Sequence, residues 1–154
     1  MIRNNVVIPD LTIYDKIVVS PGPGLPEEAG TLMEVLDQAD GVIPVLGVCL
    51  GMQGIAIHLG GNIYNQKEVK HGVQERVKCS PSALFKVAEE IEVGLYHSWA
   101  VNENPNYRVT AVSEGGVVMA IENADRNFYG VQFHPESIMT PNGMNILKNF
   151  LELA

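Results

Sequence analysis

The sequence has few cysteines, few aromatic residues and no long apolar run. Only two of its 154 residues are cysteine, and 6% are aromatic. Two cysteines cannot form the disulfide framework of a small secreted protein, so we expect a reducing, cytoplasmic environment. No stretch reaches the roughly 18 apolar residues that a membrane span needs. The apolar N-terminal segment is interrupted by Pro9, Asp10 and Asp15, so we expect neither a signal peptide nor a membrane partner.

Positive charge is also scarce. Ten Lys and Arg residues stand against 18 Asp and Glu residues, which gives a formal net charge of −8 and a pI of about 4.9. This excess of negative charge repels phosphate backbones and anionic lipid surfaces, so nucleic acid is not an expected partner. With 46% hydrophobic residues, the chain has the composition of a globular protein and the length of one domain, residues 1–154.

The first half of the chain alternates predicted strands with predicted helices. Residues 16–20 form a short β-branched run that ends in a Pro-Gly loop, and a helical period begins at Pro26. Residues 43–48 form a second apolar run, followed by a helical pattern over 52–59. This order predicts a parallel sheet with helices packed on its faces.

The second half has the alternating pattern of antiparallel strands. Gly, Asn or Pro separates the runs, and the chain ends in an amphipathic helix over 142–153. The predicted strands are 63–66, 72–78, 91–97, 107–113, 117–122 and 128–133. Together the halves predict an α/β fold, an open parallel sheet with flanking helices and a small antiparallel annex.

Cys49 lies in a glycine-flanked turn between a predicted strand and a predicted helix, Gly47-Val48-Cys49-Leu50-Gly51. A nucleophile on such a turn needs small neighbours, because the backbone is crowded there. We expect the N-terminus of the following helix to lower the pKa of the thiol and to offer N–H groups to an oxyanion. The alternative is a buried structural cysteine beside a packing turn.

His134-Pro135-Glu136 follows a predicted strand. Proline favours an extended conformation at the residue before it, and in an extended chain residues i and i+2 point to the same side. His134 and Glu136 therefore form a candidate base and its orienting carboxylate, the pair that activates a thiol. The alternative is an ordinary surface turn. The order nucleophile, histidine, acid disfavours an α/β-hydrolase, in which the acid precedes the histidine.

The loop Ser20-Pro21-Gly22-Pro23-Gly24 also follows a predicted strand. Ligands in open α/β sheets bind beyond the carboxyl ends of the strands, where this loop and Cys49 both lie. A backbone N–H near Gly24 is a candidate second oxyanion donor beside that of Leu50. The alternative is a proline-rich turn without a role.

Four separate segments resemble class I glutamine amidotransferases. They are Ser20-Pro-Gly-Pro-Gly24, Gly47-Val-Cys-Leu-Gly-Met-Gln53, Tyr96-His-Ser98 and Gly130-Val-Gln-Phe-His-Pro-Glu-Ser137. The resemblance covers nearly the whole chain in the right order and is greatest to the branch that serves anthranilate synthase and aminodeoxychorismate synthase. It implies the flavodoxin-like open sheet of that family.

The resemblance also implies roles for individual residues. Cys49 would be the nucleophile, His134 the general base and acid, and Glu136 its partner. The residues implied in glutamine binding are Gly22, Pro23 and Gly24 on the oxyanion side, Leu50, Gln53, and the backbone of Ser98 and Trp99. The family usually has leucine at the position of Trp99. His97, next to these residues, has either a structural or a positioning role.

The reaction implied by the resemblance is hydrolysis of L-glutamine to glutamate, with the ammonia passing to the large subunit of a chorismate-aminating synthase. That synthase belongs either to tryptophan or to folate biosynthesis. The resemblance implies no cofactor, and no Cys/His spacing in the sequence indicates a metal site. A cysteine hydrolase on a similar fold is disfavoured, because Gln53 and Ser98 would then have no glutamine to hold.

The resemblance further implies that relatives open with a strand-helix unit of roughly 30 residues before the segment that resembles Arg3-Asn4-Asn5. We therefore expect an exposed sheet edge and a tendency to form homo-oligomers through it. The alternative function is a catalytically impaired amidotransferase that acts as a binding or regulatory module.

Overall fold

A mixed β-sheet runs through the centre of the protein, whose structure is a computed structural model describing residues 1–153. The strands are β1 (Ile17–Val19), β2 (Val45–Val48), β3 (Ile63–Cys79), β4 (Glu89–Val101), β5 (Arg108–Ser113), β6 (Val118–Asn123) and β7 (Phe128–Val131). The α-helices are α1 (Leu32–Ala39), α2 (Leu50–His58) and α3 (Gly143–Leu151). Within residues 1–153, no helix is both long and apolar enough to cross a membrane.

The strand order in the sheet is β1-β2-β7-β6-β5-β3-β4. Strands β1, β2 and β7 are parallel, and the remaining neighbours pair antiparallel. The predicted α/β architecture is therefore confirmed, and the antiparallel annex continues the same sheet beyond β7. Because β2 and β7 are adjacent and parallel, their carboxyl ends place Cys49 beside the residues that follow Val131.

The two helical layers cover opposite faces of the sheet. Successive residues of a strand point to opposite faces, and in β2 Val45 belongs to the core formed with α1 and α2, whereas Leu46 belongs to the core formed with α3. The first core contains Leu36 and Ile55, both fully buried. Burial of apolar side chains on both faces explains why β2 and β7 are apolar throughout.

Two predicted boundaries are wrong. The predicted strands 63–66 and 72–78 form one strand, β3, because shifts in the register with β4 between Asn65 and Lys70 and between His71 and Val73 absorb the irregular stretch. The helix predicted from Pro26 is a 3-10 turn over Pro26–Glu28, and α1 begins only at Leu32. Gly30 has a φ of 61°, a left-handed conformation that interrupts the helix.

Asp40, His58 and Arg126 form a charged cluster that joins the ends of α1 and α2 to the turn between β6 and β7. The Asp40 carboxylate accepts a hydrogen bond from Arg126 Nε at 2.8 Å and lies 2.8 Å from His58 Nε2. The Arg126 guanidinium, and to a lesser extent His58, lower the pKa of Asp40 from its ordinary value of 3.8 to about 2, against the opposing effect of burial. The folded state therefore favours the charged carboxylate.

We expect Asp40→Asn to lower the free energy of unfolding at pH 7 by about 2 kcal/mol. A carboxyl group with a depressed folded-state pKa stabilises the fold above its unfolded pKa, here 3.8. This contribution is lost as the pH falls toward 2, so the difference from wild type should shrink over that interval. Urea unfolding at several pH values measures this difference in the free energy of unfolding. Asp37→Asn on the same helix is the control, since Asp37 is exposed, and an equal loss in both variants would contradict the prediction.

Candidate functional site

Cys49 occupies a strained turn between β2 and α2. Its φ of 55° and ψ of −103° are rare for a residue other than glycine. The turn is fixed on both sides, because Cys49 N donates to Val131 O at 2.8 Å and Gln53 N donates to Cys49 O at 3.1 Å. A Cβ at Gly47 would lie 2.6 Å from Met52 N, and one at Gly51 would lie 2.7 Å from Val19 O. Both flanking glycines are therefore required for the backbone to close.

The sulfur of Cys49 is almost completely buried, since the residue is only 6% exposed. The thiol donates to Tyr96 O at 3.8 Å and accepts from Gln132 Nε2 at 3.5 Å. The pKa of Cys49 is raised to about 11, mainly by burial and to a smaller extent by the Glu136 carboxylate, against hydrogen bonds from the Leu50 N–H and from Gln132 that lower it. The Leu50 N–H at the helix N-terminus does lower the pKa of the thiol as expected, but desolvation outweighs it, so the net shift is upward.

His134 and Glu136 are brought together in the segment after β7. His134 Nδ1 lies 2.6 Å from Glu136 Oε1, and since a carboxylate only accepts, Nδ1 carries the proton. The backbone of His134 is held at both ends, by donation from its N–H to Gly94 O and from Thr140 Oγ1 to its carbonyl. Its Nε2 is buried and has no hydrogen-bond partner among residues 1–153. Nε2 is thus the basic nitrogen available for chemistry.

Tyr96 connects the cysteine with the histidine. Its backbone carbonyl accepts from the Cys49 thiol, while its ring packs edge-on against the His134 imidazole with 5.0 Å between centroids. The thiol and the imidazole therefore lie on adjoining sides of one residue. The sequence placed Tyr96 in a motif shared with amidotransferases but gave it no function, because its role depends on the backbone of β4.

Several of the residues predicted to bind glutamine also meet. Gln53 Nε2 donates to Trp99 O at 3.0 Å, so the first turn of α2 contacts the end of β4 that contains Ser98. A Cβ at Gly22 would lie 3.2 Å from Leu50 Cδ2, which places the loop after β1 over the start of α2. Pro23 and Gly24 are exposed in this loop. Their part in an oxyanion site stays a prediction.

Gln132, which the sequence left without a role, and His97, for which it left a structural or a positioning role open, lie at the centre of this region. Gln132 is fully buried and touches both Cys49 and Gln53. His97 is 6% exposed, and its Nδ1 lies 2.7 Å from Trp99 O. In the sequence, Gln132 is a single polar residue between the apolar residues Val131 and Phe133. A polar side chain that is fully buried needs hydrogen-bond partners, and this was the signal that could have identified it.

The remaining candidate features lie elsewhere. Two open surface depressions, of about 350 and 500 Å³, are formed by residues 103–109 and 122–125, and these residues include none of the predicted site. Across residues 1–153, no group of three or more His, Cys, Asp or Glu side chains is arranged to hold a metal ion.

The sequence model of class-I glutamine amidotransferases matches residues 2–154. The chain belongs to this family. The amidotransferase family contains proteins of several named activities, so individual relatives narrow the comparison further.

Three curated relatives of this amidotransferase have related names. The chain is 38% identical over 145 residues to a putative anthranilate synthase component II of Haemophilus influenzae, covering 91% of this chain and 75% of that one. It is 39% identical over 142 residues to the aminodeoxychorismate/anthranilate synthase component 2 of Bacillus subtilis, covering 90% and 73%. It is 40% identical over 141 residues to the bifunctional protein TrpGD of Thermotoga maritima, covering 89% of this chain but only 24% of that protein.

A solved structure supports the same fold for the amidotransferase. A putative GMP synthase subunit from Thermoplasma acidophilum superposes with a TM-score of 0.81 at 28% identity, covering 92% of this chain and 73% of that one. The overall fold of this chain is therefore shared with a protein of a different name.

Proposed function

We propose that this amidotransferase is a glutaminase subunit that hydrolyses L-glutamine with Cys49, His134 and Glu136. The observation that carries the proposal is the juxtaposition around Tyr96. A buried thiol and an imidazole with a free Nε2 adjoin this residue, and Glu136 fixes the imidazole tautomer. A nucleophile, a base and an orienting carboxylate are the groups that acyl transfer requires.

The attack begins from a neutral thiol, because the pKa of Cys49 is raised to about 11. As the sulfur adds to the carboxamide carbon of glutamine, His134 Nε2 takes the thiol proton, and Glu136 stabilises the resulting imidazolium. The negative charge that develops on the carboxamide oxygen is stabilised by the N–H of Leu50 at the start of α2. Proton transfer and attack are thus coupled in a water-poor site.

Collapse of the tetrahedral intermediate breaks the C–N bond. The imidazolium of His134 gives its proton to the departing nitrogen, which leaves as ammonia, and the glutamyl group stays on Cys49 as a thioester. Water then adds to the thioester carbonyl with His134 as base, and glutamate leaves as the C–S bond breaks and the sulfur regains a proton. One glutamine and one water yield one glutamate and one ammonia.

The proposed partner is the large subunit of a chorismate-aminating synthase, because the relatives are named as component 2 of such enzymes. The surface next to Cys49, His134 and Glu136 is the place where we propose that this large subunit docks. Ile138, two residues beyond Glu136, is 97% exposed, and the partly exposed Tyr96 side chain contacts Met139 beside it. Homo-oligomer formation through the free edge of β1 also stays a prediction.

Glutamate release from glutamine tests the proposal. We expect slow release by the chain alone and faster release when the anthranilate synthase large subunit of the same organism is added. A parallel assay with the aminodeoxychorismate synthase large subunit separates the tryptophan pathway from the folate pathway. Folded protein that releases no glutamate with either large subunit would overturn the glutaminase and favour the non-catalytic binding module.

A further inference from the structure

A row of buried hydrogen bonds leads from β4 to the sulfur of Cys49. His97 Nδ1 and Gln53 Nε2 both contact Trp99 O, at 2.7 and 3.0 Å. Gln53 Nε2 also donates to Gln132 Oε1 at 3.3 Å, and Gln132 Nε2 donates to Cys49 Sγ at 3.5 Å. His97, Gln53, Gln132 and Cys49 are each at most 6% exposed. The row is therefore shielded from solvent along its length.

The direction of each hydrogen bond in the row follows from the Trp99 carbonyl. A carbonyl oxygen only accepts, so the amide nitrogen of Gln53 must face Trp99. The same nitrogen faces Gln132, which must therefore present its amide oxygen to Gln53. This leaves the Gln132 amide nitrogen directed at the sulfur. A backbone carbonyl on β4 thus determines that Cys49 receives an N–H.

We propose that Gln132 is a further catalytic residue, whose amide N–H stabilises the Cys49 thiolate, and that Gln53 acts as a positioning residue that holds this amide in the donating orientation. The inference deepens the proposed glutaminase and rests on Cys49 being its nucleophile. It gives Gln53 a second role beside the predicted contact with glutamine. A hydrogen bond to an ionised acceptor is stronger than one between neutral groups, so the contact gains strength as the thiolate forms.

The surroundings of the sulfur explain why an additional donor is needed. In the neutral state the thiol donates to Tyr96 O, but once the proton leaves, that carbonyl presents partial negative charge to the thiolate. The ionisable groups in this region are His134, which adjoins the same Tyr96 as the thiol, and Glu136, whose carboxylate disfavours the thiolate. Burial lowers the pKa of His97, which disfavours a charged imidazolium there. The Leu50 N–H and the Gln132 amide remain as the donors that favour the anion.

Alkylation of Cys49 by iodoacetamide tests the proposal in the intact chain without glutamine. Gln132→Met keeps the side-chain volume but removes the donor, and Gln53 retains its hydrogen bond to Trp99 O. We expect alkylation of Cys49 below pH 10 to slow by about three- to tenfold, because a higher thiol pKa lowers the thiolate fraction more than it raises its nucleophilicity. Peptide mapping by mass spectrometry separates Cys49 from the buried Cys79.

Gln132→Glu is the matched second variant. It keeps an acceptor for Gln53, but its carboxylate replaces the donor, so alkylation below pH 10 should be slower than in wild type at every pH. With glutamine as substrate, both variants should lower kcat and leave KM nearly unchanged, whereas Gln53→Met should also raise KM. Wild-type alkylation rates in a folded Gln132→Met or Gln132→Glu protein would overturn the inference. Because alkylation measures the reactivity of the sulfur itself, that outcome does not depend on whether the chain is a glutaminase.

Discussion

Cys49→Ser is expected to lower glutamate release by at least about 10⁴-fold, with glutamine binding retained. A serine hydroxyl is far less acidic than a thiol, and the site already disfavours the anion, since burial raises the pKa of Cys49 to about 11. His134 would therefore have to deprotonate a much weaker acid. The measurement is kcat in the presence of the synthase large subunit, with the midpoint of thermal unfolding recorded for each protein.

Cys79→Ala is the control for Cys49→Ser. Cys79 is the other free cysteine, and it ends β3 in the same apolar core as Cys49. Burial raises its pKa to about 12, and it takes no part in the proposed chemistry. We expect Cys79→Ala to keep the wild-type kcat. A Cys49→Ser protein with more than a tenth of wild-type activity would contradict the assignment of the nucleophile.

Gly143→Ala is expected to damage both stability and catalysis. Gly143 begins α3, and a Cβ there would overlap the Pro135 carbonyl and lie 2.9 Å from Pro135 Cα. The backbones of Gly143 and Pro135 cannot both stay in place, so the segment between His134 and Glu136 must move. Overpacking of this kind costs about 1–3 kcal/mol, or roughly 3–10 °C in Tm for a chain of this size. A displacement of about 1 Å at His134 is enough to lower kcat by about 10²-fold.

Gly115→Ala is the matched control for Gly143→Ala. Gly115 lies in the turn between β5 and β6, and an added Cβ would approach only Ser113 Oγ, at 3.9 Å. We expect wild-type Tm and kcat for this variant. If Gly143→Ala behaves in the same way, the close packing of α3 on the segment after β7 has no functional consequence.

The sequence predicted the order of strands and helices because their signals are local. Apolar runs and glycine-rich turns mark β1, β2 and α2, and the parallel first half follows from their alternation. The continuity of β3 was missed because it depends on pairing with β4 through two register shifts, which no local pattern in the sequence reveals. Similarly, the predicted start of α1 was too early because helical periodicity at Pro26 does not reveal the left-handed Gly30.

The site was predictable to the extent that its residues lie in short motifs. Cys49, His134 and Glu136 stand out by type and spacing, but His134 and Glu136 meet in a turn closed by the hydrogen bond from Ser137 N to His134 O, not in the extended chain that the sequence predicted. The raised pKa of the thiol was not predictable, because it depends on how much solvent the surrounding strands exclude. The role of Gln132 likewise depends on Gln53 and a carbonyl of β4, which come together only in the folded chain.

The sulfur of Cys49 receives its neighbours from widely separated parts of the chain. Tyr96 belongs to β4, Gln132 follows β7, and Leu50 begins α2. No fragment that lacks one of these segments can reproduce the environment of the thiol. The chemical reactivity of this sulfur therefore depends on the packing of β4, α2 and the segment after β7 against one another.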